Sequence, residues 1–591
     1  MRDVRDWISE HAIPLATVEA NHGFADLEPL RRIIGTARIL SLGEATHGSR
    51  EFFQLKHRLL EFAVAELGFT IFALEANFTE CLRINDYVLG GRGSAADVLA
   101  GTRFWTWDTE EVLALIEWMR DWNGTHARQV KFYGFDMQFP TEPALATLDY
   151  LRRVAPGLYE ASAGSLDALC DDLSSEHFRL RDDTTQKQVL ATIEHIRTAF
   201  DRERATWIAS TGTREWQLAR LNAAVLAQSA RLTLPALAHQ VASRDLAMAE
   251  NVAQLLALEG EQSKAVLWAH NGHVVKESRY REEDGTLVPN MGSQLKEKFG
   301  SDQVVVGFAF NHGAFQAIER GRGLVHHTVP AAPADSLDGA LAEAGLPFLL
   351  LDLSTAPSSG PVSDWLASAP QTRTIGSMYS AKYADRYWQA ADPRCGYDVL
   401  AYVEHTTAAR ATSTGRRSPT TRDDPAAAPA NLALAGTGDA PSGWKWLGAA
   451  HPHAHRLALL DGVSPSGCRA AQIARASAPW RWGLGRLEQG FLAEGWRGKR
   501  LRFSAAIRAE VAGSAGGAHL YIGARTKPTE GALWPIPYSA LGTLAQPLRS
   551  PRWTACAAEI DVPQDADTLT LGCALAGDGA GWFGDLDLAV V

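Results

Sequence analysis

The chain reads as an α/β protein with an all-β tail, and two observations carry that reading. Up to about residue 405, short continuous apolar runs alternate with stretches of helical spacing, and several of the runs stop abruptly at an ionisable residue. Continuous apolar strands belong to a sheet covered on both faces, as parallel sheets are. Beyond about residue 444 the texture changes to short strands that alternate with period two between Gly/Pro turns, the pattern of a β-sandwich. At 591 residues the chain has room for two or more domains. The expected architecture is a mostly parallel central sheet flanked by helices, with a large helical insertion, followed by a C-terminal sandwich.

Residues 3–35 read as helices, with Val4, Trp7 and Ile8 on one face. The first strand, 37–43, runs into the turn Leu42-Gly-Glu-Ala-Thr-His-Gly48. Helical spacing then places Phe52, Phe53, Leu55, Leu59, Leu60, Ala63, Val64 and Leu67 on one side of a helix. The second strand, Thr70-Ile-Phe-Ala-Leu-Glu75, ends in a carboxylate. A helix over 79–89 follows, then a loop carrying Trp105 and Trp107, a helix over 110–121, and a third strand, 130–136, ending at Asp136. Residues 141–258 are long and helical and read as an insertion between strands. The sheet returns at 264–270, which ends in His270 with His273 three residues on, and continues through 304–310, 347–352 and 396–403. Residues 406–443, rich in Thr, Ser, Ala, Pro and Arg, have the composition of a linker. The domains expected are therefore 1–405 with the insertion at 141–258, the linker, and a sandwich over 444–591.

Composition narrows the function classes. A formal net charge of −11 argues against nucleic acid and against an anionic membrane surface as partners. The six cysteines are scattered, with no CxxC pair, so no zinc ribbon or dense disulfide framework is expected. No apolar run approaches the roughly 20 residues of a membrane span, and the N-terminus lacks a signal-peptide core. The default expectation is a soluble cytoplasmic protein.

The chemistry gathers at the strand ends. In an open α/β sheet ligands collect at the carboxyl ends of the strands. One acid there is ordinarily a polar residue at a wet edge. Glu44/His47, Glu75, Asp136 and His270/His273 at successive strand ends form a set that points at one edge. General acid/base hydrolysis would use His47 as base with Glu44 or Glu75 orienting it. The same Glu44, Glu75, His270 and His273 could ligate zinc or manganese. A serine nucleophile is disfavoured, because the chain has no Gly-x-Ser-x-Gly elbow. A nucleotide cofactor is disfavoured too, because there is no Walker motif and no Gly-x-Gly-x-x-Gly after a strand. Trp105 and Trp107 are expected to flank the mouth of a pocket for a bulky small-molecule substrate, although a single Trp is more often core. Lys56, on the first helix, could reach the site or lie on the surface.

The motifs resemble those of the erythromycin esterase family: Ser41-Leu-Gly-Glu-Ala-Thr-His-Gly with Glu51-Phe52, Phe72-Ala-Leu-Glu75-Ala, Trp105-Thr-Trp107, Trp118-Met-Arg120, Tyr133-Gly-Phe-Asp136 and Trp268-Ala-His270-Asn-Gly-His273. The resemblance covers about residues 5–410. It implies an α/β core with a large helical part and a hydrolase that opens a macrolide lactone or a similar bulky ester. It also implies a metal-independent reaction without cofactor. It assigns the base to His47, a tuning role to Glu44 and Glu75, and stabilisation of the oxyanion or protonation of the leaving alcohol to His270 and His273. Lys56, Trp105, Trp107 and Asp136 are expected at the substrate. Family members that act on other compounds leave open a natural-product tailoring enzyme, and a glycan-binding protein with an inactive first domain is the reading from another class. The sandwich lies outside the resemblance to minimal esterases and looks like a galactose-binding or carbohydrate-binding jelly roll. It holds Trp444, Trp446, Trp480, Trp482, Trp496, Trp534, Trp553 and Trp582. Exposed indoles would suit stacking on sugar rings, though most are expected in the core, so a carbohydrate partner for that domain stays open.

Overall fold

The computed structural model describes residues 2–234, 240–277, 287–319, 322–390, 392–412, 426–436, 440–447, 455–476, 484–512, 516–527 and 538–591. Much of the expected linker, and Trp480, Trp482 and Trp534, lie outside them. The chain divides into two compact units. The first is built from residues 1–138 and 236–416, the second from 139–235 and 417–591. Most of the long helical insertion thus belongs with the sandwich, while its last helix, Gln240–Glu259, belongs to the first unit.

The first unit holds a nine-stranded sheet. In chain order its strands are β1 (Ala12–Pro14), β2 (Ile39–Leu42), β3 (Ile71–Asn77), β4 (Lys131–Asp136), β5 (Ala265–Trp268), β6 (Gln303–Glu319), β7 (Gly323–Val329) and β8 (Phe348–Asp352). A separate pair, β9 (Gln371–Arg373) and β10 (Trp388–Ala390), precedes the last strand, β11 (Val399–Thr406). The order across the sheet is β1-β8-β11-β6-β2-β5-β3-β4, with β7 on the extended end of β6. From β11 to β4 all neighbours are parallel, and β8 and β1 add antiparallel edges. β2, β3 and β5 are buried at every position, which is why their sequences are continuous apolar runs.

One detail of the order decides the site. Although β2 and β3 follow one another in sequence, they are not neighbours in the sheet. In the structure β5, some 190 residues later, pairs with both and separates them. His270, which follows β5, is thereby carried between the Glu44 turn and Glu75.

The helix after β2 spans Arg50–Leu67 and ends at Gly68, whose φ of 76° is the left-handed cap that glycine adopts freely. Its apolar face packs on the sheet. Its other side is buried as well, because the N-terminal segment covers it. Arg58 donates to Asp26 and to the carbonyls of Thr17 and Gly23. Lys56 is buried on the sheet-facing side instead, next to Phe52 and Phe53, over the rings of Trp268 and Phe308.

In the second unit two five-stranded antiparallel sheets form the sandwich. One has the order β12-β15-β20-β17-β18, from β12 (Lys445–Leu447), β15 (Leu484–Leu492), β17 (Gly517–Thr526), β18 (Ala540–Thr543) and β20 (Ala566–Ala576). The other runs β13-β14-β21-β16-β19, from β13 (His455–Leu460), β14 (Ala470–Arg475), β16 (Arg500–Val511), β19 (Thr554–Asp561) and β21 (Gly579–Val590). Period-two alternation along β16 (buried Leu501, Phe503, Ala505, Ile507, Ala509) builds the core between them. Of the described tryptophans here, Trp444 is buried, and Trp446 and Trp496 pack against that core.

Candidate active site

Glu44 and His47 sit on the turn that leaves β2. The turn is pinned by main-chain bonds: Asn271 N donates to Glu44 O, and Ile375 N donates to Ala45 O. Gly48 closes it against β6, where a Cβ would stand 1.9 Å from Gln316 O, so only glycine fits. His47 Nδ1 donates to Glu44 Oε1 at 2.6 Å. Glu44 Oε2 accepts from Lys56 Nζ at 2.6 Å and from Trp268 Nε1 at 2.9 Å. Glu44 and Lys56 are both fully buried. Burial pulls the Lys56 ammonium down to about 8, and Glu44 opposes that pull. An ionised carboxylate can only accept, so His47 carries a proton on Nδ1, and when the ring is neutral its lone pair is on Nε2.

A second cluster lies across β5. Glu75, on β3, takes Arg244 Nη2 on Oε1 at 2.7 Å and the main-chain N–H of His270 on Oε2 at 2.9 Å. Arg244 also chelates Asp136, with Nη2 on Oδ2 at 2.7 Å and Nε on Oδ1 at 3.1 Å. His273 has Asp245 Oδ1 2.9 Å from its Nδ1, and Glu75 Oε1 and Arg244 Nη1 each 3.2 Å from its Nε2. Burial opposes a charge on this ring, but Asp245 and Glu75 outweigh it and lift His273 to about 10, so the ring is an imidazolium. Glu75 would likewise be raised by burial. His273, Arg244 and His47 hold it well below the usual carboxylate range.

His270 behaves differently. Its Nε2 faces Ile375 O at 3.2 Å and its Nδ1 accepts from Gly272 N, capping the short helix Asn271–Val274. Burial, with His47 close by, drops it to about 3, so this ring is neutral. Its centroid lies 5.0 Å from that of His47. Both of its ring nitrogens face backbone, Ile375 O and Gly272 N.

The residues expected at the substrate fall out unevenly. Trp107 is buried, meets the His47 ring edge-on at 5.6 Å and donates from Nε1 to Glu75 O at 2.9 Å, so it braces both clusters from behind. Lys56 and Asp136 are fully buried and paired with Glu44 and Arg244. Trp105 is partly exposed, and among the described residues no hydrogen bond or ring contact joins it to the clusters. Arg244 and Asp245 escaped the sequence reading. They sit inside a helical stretch where an Arg-Asp pair is unremarkable, and only the fold brings that helix over β4.

Nor do Glu44, Glu75, His270 and His273 converge as a metal ligand set. Their carboxylates are closed by Lys56, Trp268, Arg244 and His273, and among the described residues no three His, Cys, Asp or Glu side chains are arranged to hold an ion.

An open, mostly parallel α/β sheet with two carboxylate–imidazole clusters at its strand ends defines the class. The chain belongs to the erythromycin esterase family, which matches residues 64–406, and it is a hydrolase of that type. The match includes Glu75, Asp136, Arg244, His270 and His273. The turn with Glu44 and His47 precedes it. The chain is 26% identical over 337 residues to an erythromycin esterase type II of Escherichia coli, covering 53% of this chain and 78% of that protein. Its fold matches the crystal structure of a Bacillus cereus protein with TM-score 0.63 at 22% identity, covering 70% of this chain and 99% of that one. It also matches a mutant of the erythromycin esterase EreC in its open conformation, with TM-score 0.55 at 15% identity, covering 68% and 98%.

Proposed function

We propose that the chain hydrolyses a carboxylic ester, a macrolide lactone or a similarly bulky one, with water activated by His47. One observation carries the reading: Glu44 fixes the Nδ1–H tautomer, and the His47 side chain keeps a small exposed fraction of 11% while Glu44 behind it keeps none. His47 Nε2 takes a proton from water as the water oxygen bonds to the ester carbonyl carbon. The tetrahedral intermediate then breaks the C–O bond to the alcohol, and the leaving alkoxide recovers the proton from His47. The site's charges favour this cycle. The contacting groups Glu44, Glu75, Asp136 and Asp245 are four carboxylates facing three cations, Lys56, Arg244 and His273, so a proton on His47 balances the cluster.

The test is hydrolysis of a panel of macrolides and simpler lactones by wild type and His47→Ala, with and without chelator. Loss of about 10²–10⁴-fold in kcat is expected for a general base. Full activity in the variant would remove the assignment. Chelator-sensitive activity restored by zinc or manganese would replace it with a metal mechanism.

A further inference from the structure

The two sheets of the sandwich are not alike on their outer faces. β16 alternates between buried and open positions, as a one-sided strand should. β17 and β20, at the middle of the other sheet, are buried at nearly every position. Their inward residues, Leu520, Ile522, Leu571 and Cys573 among them, fill the sandwich core. Their outward residues are covered by something else.

That outward face is shaped for an aromatic contact. Gly523 and Gly572 leave room for two tyrosine rings to lie on the sheet: a Cβ at Gly523 would stand 2.4 Å from the Tyr538 ring, and one at Gly572 would stand 2.6 Å from the Tyr521 ring. Flat tyrosines on a sheet are what a sugar ring would stack on. Here Tyr521 and Tyr538 are 0% and 1% exposed. The cover comes from the chain itself. Leu173 packs with Leu484, Tyr521, Ala574 and Ala576 in one apolar cluster. Asp171 Oδ2 lies 3.2 Å from His519 Nε2, with both side chains buried, and Arg179 Nη2 donates to Tyr538 O at 2.8 Å. A partly open cavity of about 280 Å³ is left at this seam, at the low end of the roughly 300–1,000 Å³ of ordinary ligand pockets.

We propose that the occupant of this sheet face is the helix Asp172–Arg179 of the insertion, and that the sandwich serves as an intramolecular anchor for the insertion rather than as a carbohydrate-binding module. The contact explains why residues 139–235 and the sandwich, separated by some 180 residues of sequence, form one compact unit. It is independent of the reaction assigned to His47.

Hydrogen exchange on the full chain tests it. In Leu173→Asp, a charge placed against Tyr521 should speed exchange about tenfold or more both in 167–179 and in 517–526 and 566–576, with β2, β3 and β5 unchanged. Arg179→Ala, which removes the bond to Tyr538 O, should move the same segments by less and serves if Leu173→Asp fails to fold. Xylohexaose and cellohexaose at millimolar concentration should leave the wild-type exchange pattern unchanged. Protection of 517–526 by either sugar in wild type would overturn the proposal. So would faster exchange of 167–179 in the variants with the sheet unaffected.

Discussion

At the scale of single residues, the site works by deciding which imidazole carries which charge. His47, His270 and His273 share one edge of the sheet and have three different partners: a carboxylate on one nitrogen, backbone on both, and carboxylates on both. Glu44→Gln should therefore keep the turn but weaken the tautomer and the stabilisation of the imidazolium, lowering kcat by about 10²–10⁴-fold with little change in KM. The histidines also set a pH dependence of stability. His270 is neutral when folded and protonates near 6.5 when unfolded, so stability falls as pH drops from about 6.5 toward about 3. His273 is held charged, so its contribution is complete below about 6.5 and is lost as pH rises toward about 10. Thermal denaturation across pH 4–10 should show its best Tm between these limbs. In His273→Gln the alkaline limb should flatten, and an unchanged slope there would refute the doubly paired imidazolium.

At the scale of elements, the helix Arg50–Leu67 is a site element as much as a core one. Its Lys56 is an interior cation held by Glu44 and lying 4.5 Å from the centre of the Trp268 ring. Lys56→Met would leave Glu44 buried against the loss of its main countercharge. It should cost about 3–5 kcal/mol in denaturant unfolding and reduce activity as well. The turn before this helix has its own limit: Gly48→Ala would force a methyl into Gln316 O on β6, and about 1–3 kcal/mol or more of stability should be lost. Both the helix and the turn were legible in the sequence, from 3.6-residue spacing and from glycines flanking a strand end. The burial of Lys56 was not, because its countercharge Glu44 and the Trp268 ring beneath it come from other segments, which the helix's own pattern does not name.

At the scale of the whole molecule, the strand order is what assembles the site. Limited proteolysis should follow the same architecture: a chain lacking the residues after 426 should become cleavable around 165–180, where the insertion loses the sandwich face, while fragments containing β2, β3 and β5 persist. The full-length protein should resist at both places.

The sequence by itself determined the fold class, the continuous buried strands, the sandwich texture, and the carboxylates and histidines at the strand ends. These follow from local period and from where an apolar run stops, which a chain carries without its neighbours. Only the tertiary structure decided that β5 lies between β2 and β3, that Arg244 and Asp245 arrive from the insertion's last helix to hold Glu75, Asp136 and His273, and that a helix of the insertion, rather than solvent, meets the tyrosines of the sandwich. Each of these is a contact between segments far apart in sequence. Neither partner's local pattern encodes the other, and such contacts become visible when burial leaves each charge or ring only one place to find its counterpart.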